Sequence, residues 1–309
     1  MDRRRFLRDG SALAATIGAA RAVGAASMVP ALPPPVAPML TRPLPSSGVQ
    51  LPIVGLGTWQ TFDPSSKSPE VMARLEATLR ALHDAGGRVI DSSPMYGDSE
   101  RVVGELAERA GLLDSLWMAT KVWTSGEARG IRQMQDSAAR LRRPTLDLLQ
   151  VHNLVDWRTH LATLRKWKAE GRVRHIGVTH YQPSAFEELE RIVARERIDA
   201  VQLPYSVALR DAERRLLPAA REAGVAVIVN LPFGGGGLLR RLSAKPLPES
   251  VRAWATSWPQ ALLKFILANP AVTCVIPGTS DPRHMADNAA AGSGRMPTTA
   301  EREALLGEI

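Results

Sequence analysis

The 309-residue chain has a single cysteine, Cys274, so it can form neither an intrachain disulfide nor a multi-cysteine metal site. That cysteine lies in an apolar run, Ala271-Val-Thr-Cys-Val-Ile276, the setting of a buried and inert thiol. Aromatic residues make up only 5%, so aliphatic side chains must fill most of the core that a 45% hydrophobic composition allows. No Gly-x-Gly-x-x-Gly follows an early strand candidate. Beyond Ala26 no apolar run reaches the roughly 20 residues that a permanent membrane span requires. Clustered His/Cys ligand sets are missing as well, so the sequence carries no sign of a metal centre. A concentrated basic run is also lacking in the body of the chain. The net charge is +8, but the first 26 residues hold five arginines against two aspartates, and the remaining excess is dispersed. Such a balance points away from nucleic acid and towards solubility, with some attraction for anionic ligands.

What is present begins at the N-terminus. Arg3-Arg4-Arg5-Phe6-Leu7-Arg8 precedes an apolar stretch from Ala12 to Ala20, then small residues through Ala26. A basic head, a short apolar run and small residues in that order make a signal peptide, with a disordered basic tail as the alternative. The paired arginines followed by Phe-Leu resemble a twin-arginine signal, which implies the twin-arginine export machinery as a partner and the periplasm as the destination. Residues 1–26 are therefore expected to be a cleaved signal, with the cut between Ala22 and Ser27. Residues 27–38, which include Pro33-Pro34-Pro35, read as an extended Pro-rich spacer, and residues 39–309 as a single domain.

Over that domain, short apolar runs alternate with helix-period segments. Strands are predicted at Ile53–Gly57, Arg88–Ser92, Leu116–Lys121, Asp147–His152, His175–Thr179, Ala200–Leu203, Val225–Asn230 and Thr273–Pro277. Most of these runs lack polar alternation, as parallel strands covered on both faces do. Val71, Leu75, Leu79 and Leu82 share one helix face, and Gly86-Gly87 ends that helix. Trp157, Leu161, Leu164 and Trp167 repeat the pattern, as do Phe186, Leu189 and Val193. Ser68 before Pro69 and Asp281 before Pro282 have the form of helix caps. Eight alternations predict a (β/α)8 TIM barrel; a doubly wound open sheet satisfies the same alternation but wants the glycine fingerprint noted above.

In an α/β barrel, chemistry belongs at the C-terminal ends of the strands. There the chain places Asp91, with Tyr96 in the loop beyond it, then Lys121, then His152. Singly, each has a plain structural role open to it: a turn cap, a loop tyrosine, a surface lysine, a hydrogen-bonded core histidine. Together they form a proton-transfer set, because a lysine beside a tyrosine would stabilise tyrosinate and is expected to lower its pKa from about 10.

Residues 39–309 resemble the aldo-keto reductases. The likeness rests on Gly55-Leu-Gly-Thr-Trp59, Asp91-Ser-Ser-Pro-Met-Tyr96-Gly-Asp-Ser-Glu100, Thr120-Lys121 and Leu148-Leu-Gln-Val-His152-Asn153. Ile176-Gly-Val178, Val201-Gln202 and Ile276-Pro-Gly-Thr279 with Asn288 extend it in the family's order. The resemblance implies hydride transfer between a nicotinamide coenzyme and a small carbonyl or alcohol substrate, with Tyr96 as proton donor. Lys121 paired with Asp91 would tune Tyr96, and His152 would orient the carbonyl. Thr179, His180 and Gln202 match the family's carboxamide-holding positions, and Asn230 falls where many members place an aromatic. Gly234 to Gly237 could bring backbone amides to the pyrophosphate or form a plain flexible loop. Gly278, Thr279, Ser280, Arg283, His284, Asp287 and Asn288 align with the segment that holds the adenosine end. His284 stands where the resemblance expects the arginine for a 2′-phosphate, and Arg283 one place earlier modestly favours NADP(H) over NAD(H). Trp59 and Trp123 would line the substrate pocket, and a monomer is expected. A non-catalytic nucleotide-binding sensor on the same barrel is the alternative, though it would need none of the four proton-side residues.

Overall fold

A computed structural model describes residues 38–309; the expected signal peptide, residues 1–26, and the expected spacer up to residue 37 lie outside the described residues. A short antiparallel hairpin comes first, β1 (Thr41–Pro43) and β2 (Gln50–Pro52). Eight parallel strands follow: β3 (Leu56–Gly57), β4 (Val89–Asp91), β5 (Trp117–Val122), β6 (Leu146–His152), β7 (Val173–Thr179), β8 (Ala200–Pro204), β9 (Ala226–Asn230) and β10 (Cys274–Val275). Each pairs with its sequence neighbour, in the order expected of a barrel. The ring closes between its first and last strands. Gly55 N–H donates to the Val275 carbonyl at 2.8 Å, Val275 N–H to the Ile53 carbonyl at 2.9 Å, and Gly57 N–H to the Pro277 carbonyl at 3.1 Å. At that seam a Cβ on Gly57 would stand 2.8 Å from the Ile276 carbonyl oxygen, so the closing contact depends on glycine. All eight predicted strands are present, and the doubly wound alternative is excluded.

Strand periodicity sorts the side chains. Ile90, Met118, Leu149, Val151, Val178, Val201, Leu203, Val227 and Val229 face outward into a continuous apolar layer under the helices. Val89, Ala119, Leu148, Ala200, Ala226, Ile228, Cys274 and Ile276 face the barrel axis, in a separate cluster that includes Trp117. Leu44 and Leu51 of the hairpin join this inner cluster and are fully buried. Trp117 stands at the start of its strand, so the hairpin plugs the N-terminal end of the barrel. Arg42 ties it down by donating to the carbonyls of Leu267, Asn269 and Val272. The sequence reading did not anticipate this hairpin, whose strands are three residues long and carry prolines.

The helices are α1 (Pro69–Asp84), α2 (Ser99–Arg109), α3 (Glu127–Arg140), α4 (Trp157–Ala169), α5 (Phe186–Arg195), α6 (Leu216–Glu222), α7 (Gly237–Leu242), α8 (Glu249–Arg252), α9 (Trp258–Leu267), α10 (Pro282–Ala290) and α11 (Thr299–Leu306). The predicted caps are made: Ser68 Oγ accepts from Val71 N–H, and the Asp281 carboxylate from Arg283 N–H. Gly86 follows α1 with φ +93°, a left-handed turn that glycine adopts without strain. No described helix is long and apolar enough to cross a membrane. Helices α7 and α8 lie between β9 and α9, in the segment that opens with the glycine run.

Candidate active site

The inward positions at the C-terminal ends of the strands change from apolar to polar. Asp91 ends β4, Lys121 lies on β5, Gln150 and His152 on β6, Thr179 on β7, Gln202 on β8 and Asn230 on β9. Lys121 is completely buried, and its Nζ donates to Asp91 Oδ2 at 2.6 Å and to the Ser92 carbonyl at 2.7 Å. Asp91 Oδ1 accepts from Gln202 Nε2 at 2.8 Å and from Gln150 Nε2 at 3.4 Å. This pair is therefore both ion-paired and hydrogen-bonded, which is the condition for keeping charge inside a barrel. Burial alone would push the Lys121 ammonium down, but Asp91 and then Tyr96 more than reverse that and hold it above its usual value.

The loop after β4 brings Tyr96 back over the pair. Thr58 Oγ1 donates to the Asp91 carbonyl at 3.0 Å, and Tyr96 N–H donates to the Ser93 carbonyl at 3.0 Å, which folds the loop inward. Lys121 Nζ then lies 4.9 Å from the centre of the Tyr96 ring. The expected lowering of the phenol pKa is not the net result. Burial pushes it up, Lys121 pulls it part of the way back, and Asp91 pushes up again, so it ends above its usual value. Spacing along the chain carries the lysine's influence but says nothing of desolvation, and desolvation wins here.

His152 completes the set. Its ring stands edge-on to Tyr96, with centroids 5.7 Å apart, and its Nδ1 pairs with Ser93 Oγ at 2.9 Å. Burial, then the Lys121 and His180 charges, pull its pKa down to about 2, so the imidazole is neutral at ordinary pH. Trp123 lies 6.4 Å from His152, ring to ring, and is 42% exposed, so it forms an open wall of the mouth. Trp59, 50% exposed, stands beyond β3, where its main-chain oxygen is within 4 Å of a Cβ built on Gly278. The structure thus brings Asp91, Tyr96, Lys121, His152 and Trp123 together, with Trp59 on the rim.

The coenzyme candidates divide into two groups. Thr179, Gln202 and Asn230 form one hydrogen-bonded cluster: Thr179 Oγ1 donates to Gln202 Oε1 at 3.1 Å, and Asn230 Nδ2 to the same oxygen at 3.3 Å. His180 is turned aside, its ring stacked on Tyr181 at 5.6 Å and its Nδ1 accepting from Gln182 N–H at 3.0 Å. The glycine run is open backbone, with Gly234, Gly235 and Gly236 all at positive φ and nothing within 4 Å of a Cβ on Gly235.

At the β10–α10 junction, Gly278 pairs with Gly57, and Thr279 Oγ1 accepts from Asp281 N–H at 3.1 Å, with Ser280 half-buried between them. Arg283 and His284 are exposed, and Arg283 is held by Asp281 through contacts of 3.2 and 2.8 Å. Asp287 is engaged by Ser257 Oγ at 2.8 Å and Gln260 Nε2 at 2.7 Å, which ties α10 to α9, and Asn288 is buried beside it.

Three participants were missed in the sequence. Gln150 shares inward parity with Leu148 and His152, so strand alternation could have exposed it. Ser93 fixes the histidine ring, and Gln133 of α3 clamps the Trp123 backbone, accepting from its N–H at 2.6 Å and donating to its carbonyl at 3.2 Å. Nothing in the sequence marks either of these.

Comparison with known proteins supports the same reading. The profile of the aldo/keto reductase family matches residues 53–301. Methylglyoxal reductase YeaE of Escherichia coli (strain K12) is 30% identical over 254 residues, covering 79% of this chain and 87% of the relative. The aldo/keto reductase of Klebsiella pneumoniae solved with NADP and acetate superposes with a TM-score of 0.71 at 27% identity, covering 84% of this chain and 92% of that one. A second Klebsiella pneumoniae aldo-keto reductase, solved with NADPH, gives a TM-score of 0.70 at 26% identity, covering 88% and 95%. With the barrel, the buried Asp91–Lys121 pair and the loop-borne Tyr96 all in place, the chain belongs to the aldo/keto reductase family and is an NAD(P)-dependent oxidoreductase.

Proposed function

We propose that this enzyme reduces an aldehyde or ketone to the alcohol, or runs the reverse reaction, with Tyr96 as the proton donor. The observation that carries the proposal is the convergence of Tyr96 and neutral His152 above the buried Asp91–Lys121 pair. The residues around the mouth fit a nicotinamide coenzyme. Asn230 Oδ1 is a buried acceptor without a partner among the described residues, suited to a carboxamide N–H, and the Gly235 backbone leaves room for a close ligand. A bound reduced nicotinamide supplies hydride to the carbonyl carbon. The protein's task is to place the carbonyl and deliver a proton to its oxygen.

Two side chains can face that oxygen, and their protonation separates their roles. His152, held down to about 2, has no proton to give at neutral pH beyond its neutral N–H. With Ser93 on Nδ1, its Nε2 is free to donate a hydrogen bond that orients the carbonyl. Tyr96, held above its ordinary value by burial, keeps its proton until the substrate oxygen takes it. The Lys121 ammonium then stabilises the tyrosinate left behind, and Asp91 keeps that ammonium charged and in place.

NADP(H) is the preferred coenzyme in this reading, supported by exposed Arg283 beside the adenosine segment and by the NADP and NADPH complexes of the two Klebsiella relatives. The methylglyoxal reductase relative makes that small ketoaldehyde the first substrate to assay. Residues 1–26 direct the protein through the twin-arginine route to the periplasm, on the strength of their basic, apolar and small-residue order. Export of an already folded chain suits a coenzyme enzyme that has no disulfide to form.

The decisive experiment follows coenzyme oxidation against a panel of aldehydes and ketones for the native protein and Tyr96→Phe. The variant should lose about 10²–10⁴-fold in kcat while retaining coenzyme affinity. Equal turnover by the two proteins would remove Tyr96 from the role.

A further inference from the structure

The hydrogen-bond chain that starts at Asn230 has one consistent set of amide orientations. At one end stands the main-chain carbonyl of His180 and at the other the Asp91 carboxylate, and both can only accept. Asn230 Nδ2 therefore faces the His180 carbonyl at 3.4 Å, and it also donates to Gln202 Oε1 at 3.3 Å. Gln202 Nε2 in turn donates to Asp91 Oδ1 at 2.8 Å. Reversing either amide would set two oxygens face to face, so the orientations are determined by their surroundings. Thr179 Oγ1, 3.1 Å from Gln202 Oε1, supplies a second donor to that oxygen. Two amide oxygens of this network have no partner among the described residues: Gln150 Oε1, whose Nε2 also reaches Asp91, and, at the open end of the chain, Asn230 Oδ1, which is buried.

An acceptor kept buried and unpaired costs stability, so a site that retains one is suited to a ligand that brings a donor. Building on the nicotinamide reading above, we propose that Asn230 is a specificity residue whose Oδ1 accepts the N–H of the coenzyme's carboxamide. Its two donated bonds lock the side chain, so the oxygen cannot be exchanged for an N–H by rotation of the amide. A pyridine ring bearing a ketone or a carboxylate at the same carbon would offer this oxygen no donor. Asn230 therefore selects the amide form of the ring. Through Gln202 it also joins the coenzyme side of the mouth to the Asp91–Lys121 pair.

The test uses quenching of intrinsic tryptophan fluorescence to compare binding of NADPH with its reduced acetylpyridine analogue, in which a methyl group replaces the amide nitrogen. The native protein should bind NADPH more tightly, and Asn230→Leu should shrink that ratio about fivefold, the worth of one such hydrogen bond. Affinity for 2′-phospho-ADP-ribose, which lacks the pyridine ring, should be the same in both proteins and certifies the fold of the variant. If Asn230→Leu fails that control, Asn230→Val carries the same comparison, with a β-branched residue at ease on a strand and no acceptor in its side chain. An unchanged ratio in a folded variant overturns the assignment of Asn230 alone. Failure of the native protein to bind either dinucleotide overturns the coenzyme reading together with it.

Discussion

Replacing Asp91 with Asn strands the Lys121 ammonium inside the barrel, and the consequences can be worked from the geometry. Nζ lies 2.6 Å from Oδ2, with the lysine wholly buried. At an effective dielectric of about 20 the attraction at that distance is about 6 kcal/mol, most of which offsets the desolvation of the two ions. Removing one partner leaves the second desolvated and alone, so Asp91→Asn and Lys121→Met should each destabilise by about 3–5 kcal/mol at neutral pH. The double variant has no stranded charge and should cost no more than the worse single. The pH dependence provides an independent sign. In the native protein Lys121 is held above its unfolded value, so its contribution is complete below that value and is lost as pH rises through the folded one. Without Asp91 the larger opposition to burial is gone and only Tyr96 remains, so the folded lysine should titrate below its unfolded value. Asp91→Asn should then gain stability as pH rises towards the unfolded lysine value, where the native protein does not. Urea unfolding followed by circular dichroism, at several pH values, measures both effects. Single-variant losses that add up in the double to within about 0.5 kcal/mol would refute the coupling. A pH slope shared by Asp91→Asn and the native protein would refute the assignment of the stranded charge.

Two further outcomes follow from other parts of the chain. Arg283 is held by Asp281 through two contacts, and both are surface groups, so the carboxylate competes with any 2′-phosphate for that guanidinium. Asp281→Asn keeps a helix cap while removing the competing charge, and it should improve the ratio of kcat/KM for NADPH over NADH several-fold. An unchanged ratio would mean that Arg283 does not meet the phosphate. At the other end, changing Arg3 and Arg4 together to Lys in a fusion to a reporter active only outside the cytoplasm should abolish the signal. Undiminished reporter activity would separate residues 1–26 from the twin-arginine route.

Much of the architecture was legible because the pattern that specifies it is local. Eight apolar runs at strand length, each followed by a helix-period segment, leave few arrangements that bury both faces, and each predicted run overlaps an observed strand. The order Asp91, Tyr96, Lys121, His152 was legible for the same reason, since strand ends place residues at the mouth. Properties that depend on through-space surroundings were not. The Tyr96 phenol was expected to titrate low beside Lys121, yet it sits high because burial outweighs the cation. The β1–β2 hairpin escaped because its partners lie at the far end of the chain, with Arg42 reaching the carbonyls of Leu267, which ends α9, and of Asn269 just beyond it. Gln150 escaped because a glutamine within an apolar strand carries no motif, even though its inward parity matches that of His152.

The layer beneath the polar mouth explains why long side chains can be buried there at all. Inward-facing Ala119, Ala200 and Ala226 are small, and Gly177 has no side chain; a Cβ there would stand 2.4 Å from the Ala200 carbonyl oxygen and 3.4 Å from Gln150 Cγ. That spare volume admits Lys121, Gln150 and Gln202, whose polar ends converge on Asp91 from three different strands. Below them the axis is closed by Leu148, Ile228, Trp117 and the hairpin's Leu44 and Leu51, so the N-terminal end of the barrel is sealed with apolar side chains. A charge pair set above such a plug lies in a low-dielectric environment open on one side only, where a fixed ammonium exerts a larger effect on a neighbouring phenol than it would in solvent. The hairpin that the sequence concealed therefore bears on the site as well as on the fold: its Leu44 and Leu51 complete the apolar floor beneath the layer in which Lys121 faces the Tyr96 phenol.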